Sequence, residues 1–151
     1  MVLLPGVNRP FTTGSRSNKQ VVGIVLVSHS QKLVEGLKEL VSQLSGGNVP
    51  VACAGGGPQG ELGTSAEKIR DAILSVASPD GVMLLVDMGS AVLSAEMAID
   101  LLDPRPCEVR ISGAPLVEGA VVGVIHAGLG DSLDDIMLAV EGARHMPKNL
   151  D

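Results

Sequence analysis

Val21-Val22-Gly23-Ile24-Val25-Leu26-Val27-Ser28-His29-Ser30 is the stretch that decides the fold. Its first seven positions are apolar or glycine, rich in β-branched residues and without polar alternation. A strand wetted on one face alternates, whereas one covered on both faces reads as a continuous apolar run. Directly after it, Leu33, Val34, Leu37, Leu40, Val41 and Leu44 recur at helical spacing, with Lys32, Glu35, Lys38 and Glu39 between them. This predicts a helix from Ser30 to Leu44, capped by Ser30 and ended by Gly46-Gly47-Asn48. A doubly buried strand feeding an amphipathic helix is the unit of a parallel sheet with helices on its faces.

The unit repeats along the chain. Val49 to Ala54 reads as a second strand, followed by a glycine-rich loop from Gly55 to Gly63. Thr64-Ser65-Ala66-Glu67 has capping-box form and opens a helix to Val76, with Ala66, Ile69, Ile73 and Val76 inward. Pro79-Asp80-Gly81 is a turn. Val82 to Val86 is a third buried strand, and Ser90 is read as the cap of a helix ending near Leu102. Asp103 to Pro106 breaks that helix. Cys107 to Ile111 alternates weakly and reads as a fourth strand nearer an edge. Pro115 suits the first helical position, Leu116 to Ala127 is apolar nearly all round, and Ser132-Leu133-Asp134-Asp135 caps a last helix to Arg144. The expected architecture is α/β: a doubly wound open parallel sheet of four strands in the order 2-1-3-4, flanked by helices, in one domain. The all-round apolar segment 116–127 is expected to meet a second subunit, its small residues Gly119, Ala120, Gly123 and Ala127 allowing close approach.

The 151 residues fit one domain, and 45% hydrophobic content allows a substantial core. Residues 1–20 hold Pro5, Pro10, Gly6, Gly14 and three basic groups without periodicity. They are read as a disordered extension, outside a folded domain at 21–145 and a tail at 146–151. Arg9 follows the short Val2-Leu3-Leu4 stretch, so no secretory signal is read. No apolar run nears the roughly 18–20 residues of a spanning helix. A soluble, cytoplasmic protein with no membrane partner is expected. With Arg9, Arg16 and Lys19 set aside, 8 basic and 17 acidic residues remain, a net −9. That balance lacks the cationic patch a nucleic-acid partner needs and suits a basic protein partner. Phe11, in the extension, is the only aromatic residue, which excludes base-stacking platforms. Cys53 and Cys107 read as reduced apolar residues, and three scattered histidines give no metal site. No cofactor is expected.

The candidate chemistry lies where strands hand over to helices. In an open parallel sheet the carboxyl ends of neighbouring strands stand side by side and ligands bind there. The first handover carries His29, the third Asp87, Gly89 and Ser90. A neutral imidazole is a nucleophile toward phosphorus when one ring nitrogen is free and the other is held by an acceptor. Asp87 is the expected acceptor, fixing the tautomer and stabilising the cation formed on transfer. Gly89 admits backbone amides to an oxyanion, and Ser90 offers a hydroxyl to a phosphoryl oxygen. Ser30, at the first helix N-terminus, and Gly63 and Thr64, in the bordering loop, are the other expected phosphoryl-binding positions. Gly55-Gly56-Gly57-Pro58-Gln59-Gly60 matches G-x-G-x-x-G, but Pro58 intervenes and the helix opens after the motif, so it is not a dinucleotide fingerprint. His126 reads as a satisfied core or interface residue and His145 as inert.

Val25-Leu26-Val27-Ser28-His29-Ser30, the loop from Gly55 to Thr64 and especially Val86-Asp87-Met88-Gly89-Ser90-Ala91-Val92-Leu93-Ser94-Ala95-Glu96 resemble the phosphotransferase subunits of phosphoenolpyruvate-dependent dihydroxyacetone kinases. Their core domain is related to the mannose-type IIA domains of the sugar phosphotransferase system. The resemblance implies a cytosolic homodimer in which His29 accepts phosphate from phospho-HPr and passes it to ADP held in the ADP-binding kinase subunit. It implies that Asp87 orients the histidine and that Ser90 lies near the phosphoryl group. HPr-like and enzyme-I-like domains, fused in some relatives, are expected on separate proteins. A sugar-transporting mannose-type IIA component and a nonenzymatic anion-binding module are the alternatives.

Overall fold

Three apolar runs stack side by side at the centre of the molecule and dictate the rest of it. A computed structural model describes residues 20–149. The extension read at residues 1–20 thus lies outside the described residues apart from Gln20, and so do positions 150 and 151. The strands are β1 (Gly23–Ser28), β2 (Val51–Gly55), β3 (Val82–Val86) and β4 (Val109–Ser112), all parallel and ordered β2-β1-β3-β4. Every residue of β1 and β3 is buried, as their unbroken apolar reading requires.

The helices are α1 (Gln31–Ser45), α2 (Ala66–Val76), α3 (Ser90–Asp100), α4 (Leu116–Gly128) and α5 (Leu133–Glu141), with a 3₁₀ turn at Gly142–His145. One core layer joins Ile24, Leu26, Met83 and Leu85 to Val34, Leu37 and Val41 of α1, Val124 of α4 and Ile136 of α5. The other joins Val25, Val27 and Leu84 to Ile69 and Ile73 of α2 and Ala91, Ala95 and Ala98 of α3. Alternate residues of each central strand thus feed opposite layers. Each fully buried Val, Leu or Ile contributes about 1.5–3 kcal/mol.

Several local readings shift. Ser65, not Thr64, caps α2 and accepts from the Lys68 amide, because adjacent Thr and Ser are both competent caps and packing chooses the frame. Gly89, not Ser90, is the N-cap of α3, and Pro115 is the N-cap of α4 rather than its first residue. The fourth strand begins two residues later than read and ends one later. On α1 only Val34, Leu37 and Val41 face the core; Leu33, Leu40 and Leu44 are exposed, since a residue one step along a helix is turned about 100° away. The small residues of α4 serve a different approach from the one expected. A Cβ on Gly119 would stand 2.9 Å from Leu85 Cδ2, and one on Gly123 2.9 Å from Met83 Cε. They let α4 lie close on its own sheet, while Val117 and Ile125 face outward. In the segment read as a tail, Lys148 folds back to pair with Glu118 of α4.

Candidate functional site

Parallel register assembles the site. Val27 stands opposite Val86, and Ser28 opposite Gly55, so the chain leaves β1 and β3 at the same level. The Asp87 amide extends the ladder by donating to the Val27 carbonyl at 3.1 Å. The Asp87 carboxylate is thereby aimed at the two residues that follow Val27.

The carboxylate takes three donors from that turn. Oδ2 accepts from the Ser28 hydroxyl and from the His29 backbone N–H, each at 2.9 Å. Oδ1 lies 3.0 Å from His29 Nδ1. An ionised carboxylate accepts only, so Nδ1 carries the ring proton and Nε2 holds the free lone pair. The Ser90 Oγ is 2.9 Å from Nε2 and donates to it. Burial pushes the Asp87 carboxyl up, but the His29 amide, the Ser28 hydroxyl, the His29 ring N–H and its charge outweigh that and hold it below the ordinary range. The side chains of His29 and Asp87 are 24% and 14% exposed, so the ring reaches solvent more than the carboxylate that holds it.

Ser28 is the residue that sequence reasoning missed. It is fully buried, donates to Asp87 and accepts from the Ser30 amide at 2.9 Å. The signal was present: a hydroxyl ending an unbroken apolar run must find partners, because an unpaired polar group there costs about 1–3 kcal/mol.

The other predicted positions divide by what their polar groups already do. Ser30 caps α1, its Oγ accepting from the Leu33 amide at 3.3 Å. The Gly63 amide donates to the His29 carbonyl at 3.1 Å and fastens the glycine-rich loop to the site. The Thr64 hydroxyl is paired with Ser94 Oγ at 2.6 Å, tying the same loop to α3. Gly89 is exposed, and a Cβ there would meet nothing within 4 Å. The Gly89 and Ser90 amides have no hydrogen-bond partner among the described residues, so the uncapped start of α3 faces the ring. Gly55 fixes the start of α1, since its Cβ would fall 2.6 Å from Gln31 Cα and 2.8 Å from the Ser30 carbonyl oxygen.

A cleft of about 430 Å³ runs from Asp87, Met88 and Gly89 to Gly113, Pro115 and Arg144. His126 is half-buried and satisfied by Asp131 at 2.7 Å, on a different element from the His29 pair, and His145 ends the 3₁₀ turn. No group of three metal-ligating side chains occurs among the described residues, and no helix among them is long and apolar enough to cross a membrane. The arrangement is that of an oriented nucleophile: an imidazole with one nitrogen anchored, the other exposed, and hydrogen-bond donors waiting beside it.

The family model for the PTS system fructose IIA component matches residues 23–137. The chain is 44% identical over 132 residues to the phosphoryl donor subunit DhaM of the PEP-dependent dihydroxyacetone kinase of Escherichia coli (strain K12), covering 82% of this chain and 28% of that protein. It is 41% identical over 118 residues to the phosphoryl donor subunit DhaM of PEP-dependent dihydroxyacetone kinase 2 of Listeria innocua, covering 78% of this chain and 94% of that one. The chain therefore spans about a quarter of the Escherichia coli relative but nearly all of the Listeria relative. Among solved structures, the unknown function protein EF1359 superposes with a TM-score of 0.72 at 34% identity, over 87% of this chain and 100% of that one. Sequence and fold converge: the chain belongs to the PTS system fructose IIA component family, and within it to the phosphoryl donor subunits of PEP-dependent dihydroxyacetone kinases.

Proposed function

We propose that the chain is a histidine phosphocarrier, taking a phosphoryl group from phospho-HPr on His29 and passing it to ADP held in the ADP-binding subunit of dihydroxyacetone kinase. The observation that carries this is the polarity of the imidazole: Nδ1 bound to Asp87 at 3.0 Å, Nε2 facing solvent beside Ser90.

In the forward step the Nε2 lone pair attacks phosphorus, an Nε2–P bond forms and the donor's P–N bond breaks. The His29 ring keeps its Nδ1 proton and becomes a cation, which the Asp87 carboxylate stabilises without accepting that proton. Ser90 must first release Nε2. Its hydroxyl then turns to a phosphoryl oxygen, joined by the unpartnered Gly89 and Ser90 amides at the start of α3. A loose phosphoryl-transfer transition state asks mainly for this positioning and charge stabilisation. The second step reverses the first: the bond to Nε2 breaks, a terminal oxygen of ADP takes the phosphoryl group, and the neutral imidazole returns. Ser30, Gly63 and Thr64 act by holding the turn and loop around the ring. The chain works in the cytoplasm as a homodimer, for which Leu33, Leu40 and Leu44 of α1, beside Ile125 of the adjoining α4, supply an exposed apolar face.

The experiment is phosphorylation by phosphoenolpyruvate, enzyme I and HPr, read by intact mass, for the natural chain, His29→Ala and Asp87→Asn. The expected result is an acid-labile gain of one phosphoryl group, absent in His29→Ala, and slower in Asp87→Asn by about 10²–10⁴-fold because the imidazolium loses its counter-charge. ADP-loaded kinase subunit should then discharge the label. No gain with active HPr would end the phosphocarrier reading, and transfer at the natural rate in Asp87→Asn would remove Asp87 from it.

A further inference from the structure

α3 carries large apolar side chains on both of its faces. Ala91, Ala95 and Ala98 are fully buried, with Val92 and Ile99 partly buried against the same layer, and the outer face carries Leu93 and Met97. An ordinary surface helix keeps its apolar bulk on the core and polar groups in water. The core makes no use of Leu93 and Met97, so packing within this chain does not account for them.

Two more exposed apolar side chains join them around the nucleophile. Met88 follows Asp87, whose carboxylate holds the His29 ring, and Leu62 precedes Gly63, whose amide donates to the His29 carbonyl. Leu93 and Met97 stand about one and two turns along α3 from Ser90, whose hydroxyl touches Nε2. Leu62, Met88, Leu93 and Met97 are 83%, 53%, 67% and 60% exposed. Single exposed apolar residues are commonplace, but several on the segments that hold one reactive side chain mark a protein contact. Methionine suits such a surface because its unbranched side chain adapts to the partner.

The charges beside the patch are of one sign. Glu61 adjoins Leu62, Glu96 adjoins Met97, and Asp100 lies one turn further; α3 holds no Lys or Arg. Of the nearer cations among the described residues, Lys68 Nζ donates to the Gly55 carbonyl and Arg144 is paired with Glu141, leaving Lys32, on the first turn of α1, as the free one on the flank. A second copy of this chain fits poorly here, because a two-fold contact would set these carboxylates against themselves.

We infer that Leu62, Met88, Leu93 and Met97 form the seat of the phosphoryl-donor protein, which presents an apolar surface bordered by Lys and Arg to meet Glu61, Glu96 and Asp100. This rests on the phosphocarrier reading and adds to it a docking surface that extends along α3 away from the reacting atoms.

The test compares two phosphoryl donors on the full chain. The phosphorylated donor protein must dock, whereas phosphoramidate is small enough to need no seat. With phosphoramidate its P–N bond breaks, a P–N bond forms at His29 Nε2, and ammonia leaves. In Leu93→Ser/Met97→Ser the rate from sub-saturating donor protein should fall roughly ten-fold or more. The phosphoramidate rate and the mass of the assembly in solution should not change. A donor-protein rate within about two-fold of the natural chain overturns the proposal. So does dissociation of a dimer, which would make the patch a self-contact. Should the phosphoramidate rate fall too, Glu96→Lys/Asp100→Lys decides: slower transfer from the donor protein with a flatter salt dependence supports the seat, and unchanged transfer overturns it. Failure of the natural chain to be phosphorylated by either donor would instead strike the phosphocarrier reading itself.

Discussion

The carboxyl ends of β1 and β4 are built from one set of hydrogen bonds. In each, a buried serine ends the strand and donates to a carboxylate, the next amide donates to the same oxygen, and the amide after that donates to the serine. At β1 these are Ser28, His29 and Ser30 around Asp87, at 2.9 Å each. At β4 they are Ser112, Gly113 and Ala114 around Glu141, at 3.2, 3.1 and 3.1 Å. In both, the carboxylate also accepts from a side-chain nitrogen: the His29 ring in one, the Arg144 guanidinium in the other. The difference is the side chain on the middle residue. A carboxylate cradle is a way to finish a buried strand, satisfying two amides and a hydroxyl at once; it becomes a site only where the middle residue brings a nucleophile and the carboxylate is free to hold it.

The sharpest way to break the comparison is to exchange the middle residues. His29→Gly gives β1 the ending of β4 and should abolish phosphorylation while the chain still folds, because the three cradle bonds use backbone and Ser28. Gly113→His should fold as well, since a Cβ there would meet Arg144 Nη2 and Glu141 Oε2 at 3.8 and 3.9 Å, ordinary contact distances. It should gain no phosphoryl group, because Glu141 is already engaged by Arg144. Intact mass after incubation with the donor system reads both. Phosphate on the new histidine would show that a cradle and an imidazole suffice without Ser90 and the open start of α3.

A smaller effect separates the two serines. Ser28→Ala leaves the half-buried Ser30 amide, and Ser112→Ala the buried Ala114 amide, without its acceptor, and each should lose about 1–3 kcal/mol in urea unfolding. Their activities should part. Ser28→Ala frees Asp87 to shift against the ring and should slow phosphorylation, whereas Ser112→Ala should leave its rate unchanged. Equal rates in the two variants would mean that the His29 amide alone keeps Asp87 in place.

Much of this was legible in the chain. Val82–Val86 is a strand with the bounds its composition suggests, and the pairing of His29 with Asp87 follows from two apolar runs ending in the same layer. Periodicity gives an apolar stripe but not which of its edges is inside, and on α1 the stripe reaches past the buried line of Val34, Leu37 and Val41. Leu33, Leu40 and Leu44 therefore read as core and prove exposed, while Gly119 and Gly123 read as an approach for a partner and prove to serve the sheet. What the sequence withholds for Ser28 and Ser112 is the identity of their partners. Their partners lie 59 and 29 residues away, and only the register and the packing of α5 bring them within reach.

The finest distinction between the two cradles is how much of each carboxylate the solvent can replace. Both Asp87 and Glu141 are pushed up by burial and pulled further down by the groups that donate to them. A carboxyl held below its unfolded value adds stability above that value, about pH 4, and the contribution fades as the pH falls through the lower folded one. The stability gap between the natural chain and Asp87→Asn should therefore be level near neutrality and close below about pH 4. Glu141→Gln should show the same sign with a smaller gap, because its side chain is 39% exposed against 14% for Asp87 and water takes over more of what the donors supply. Urea midpoints of the three proteins between neutral and acid pH measure both gaps. A gap for Glu141→Gln as large as that for Asp87→Asn would mean that Arg144, rather than shelter from water, sets the strength of the β4 cradle.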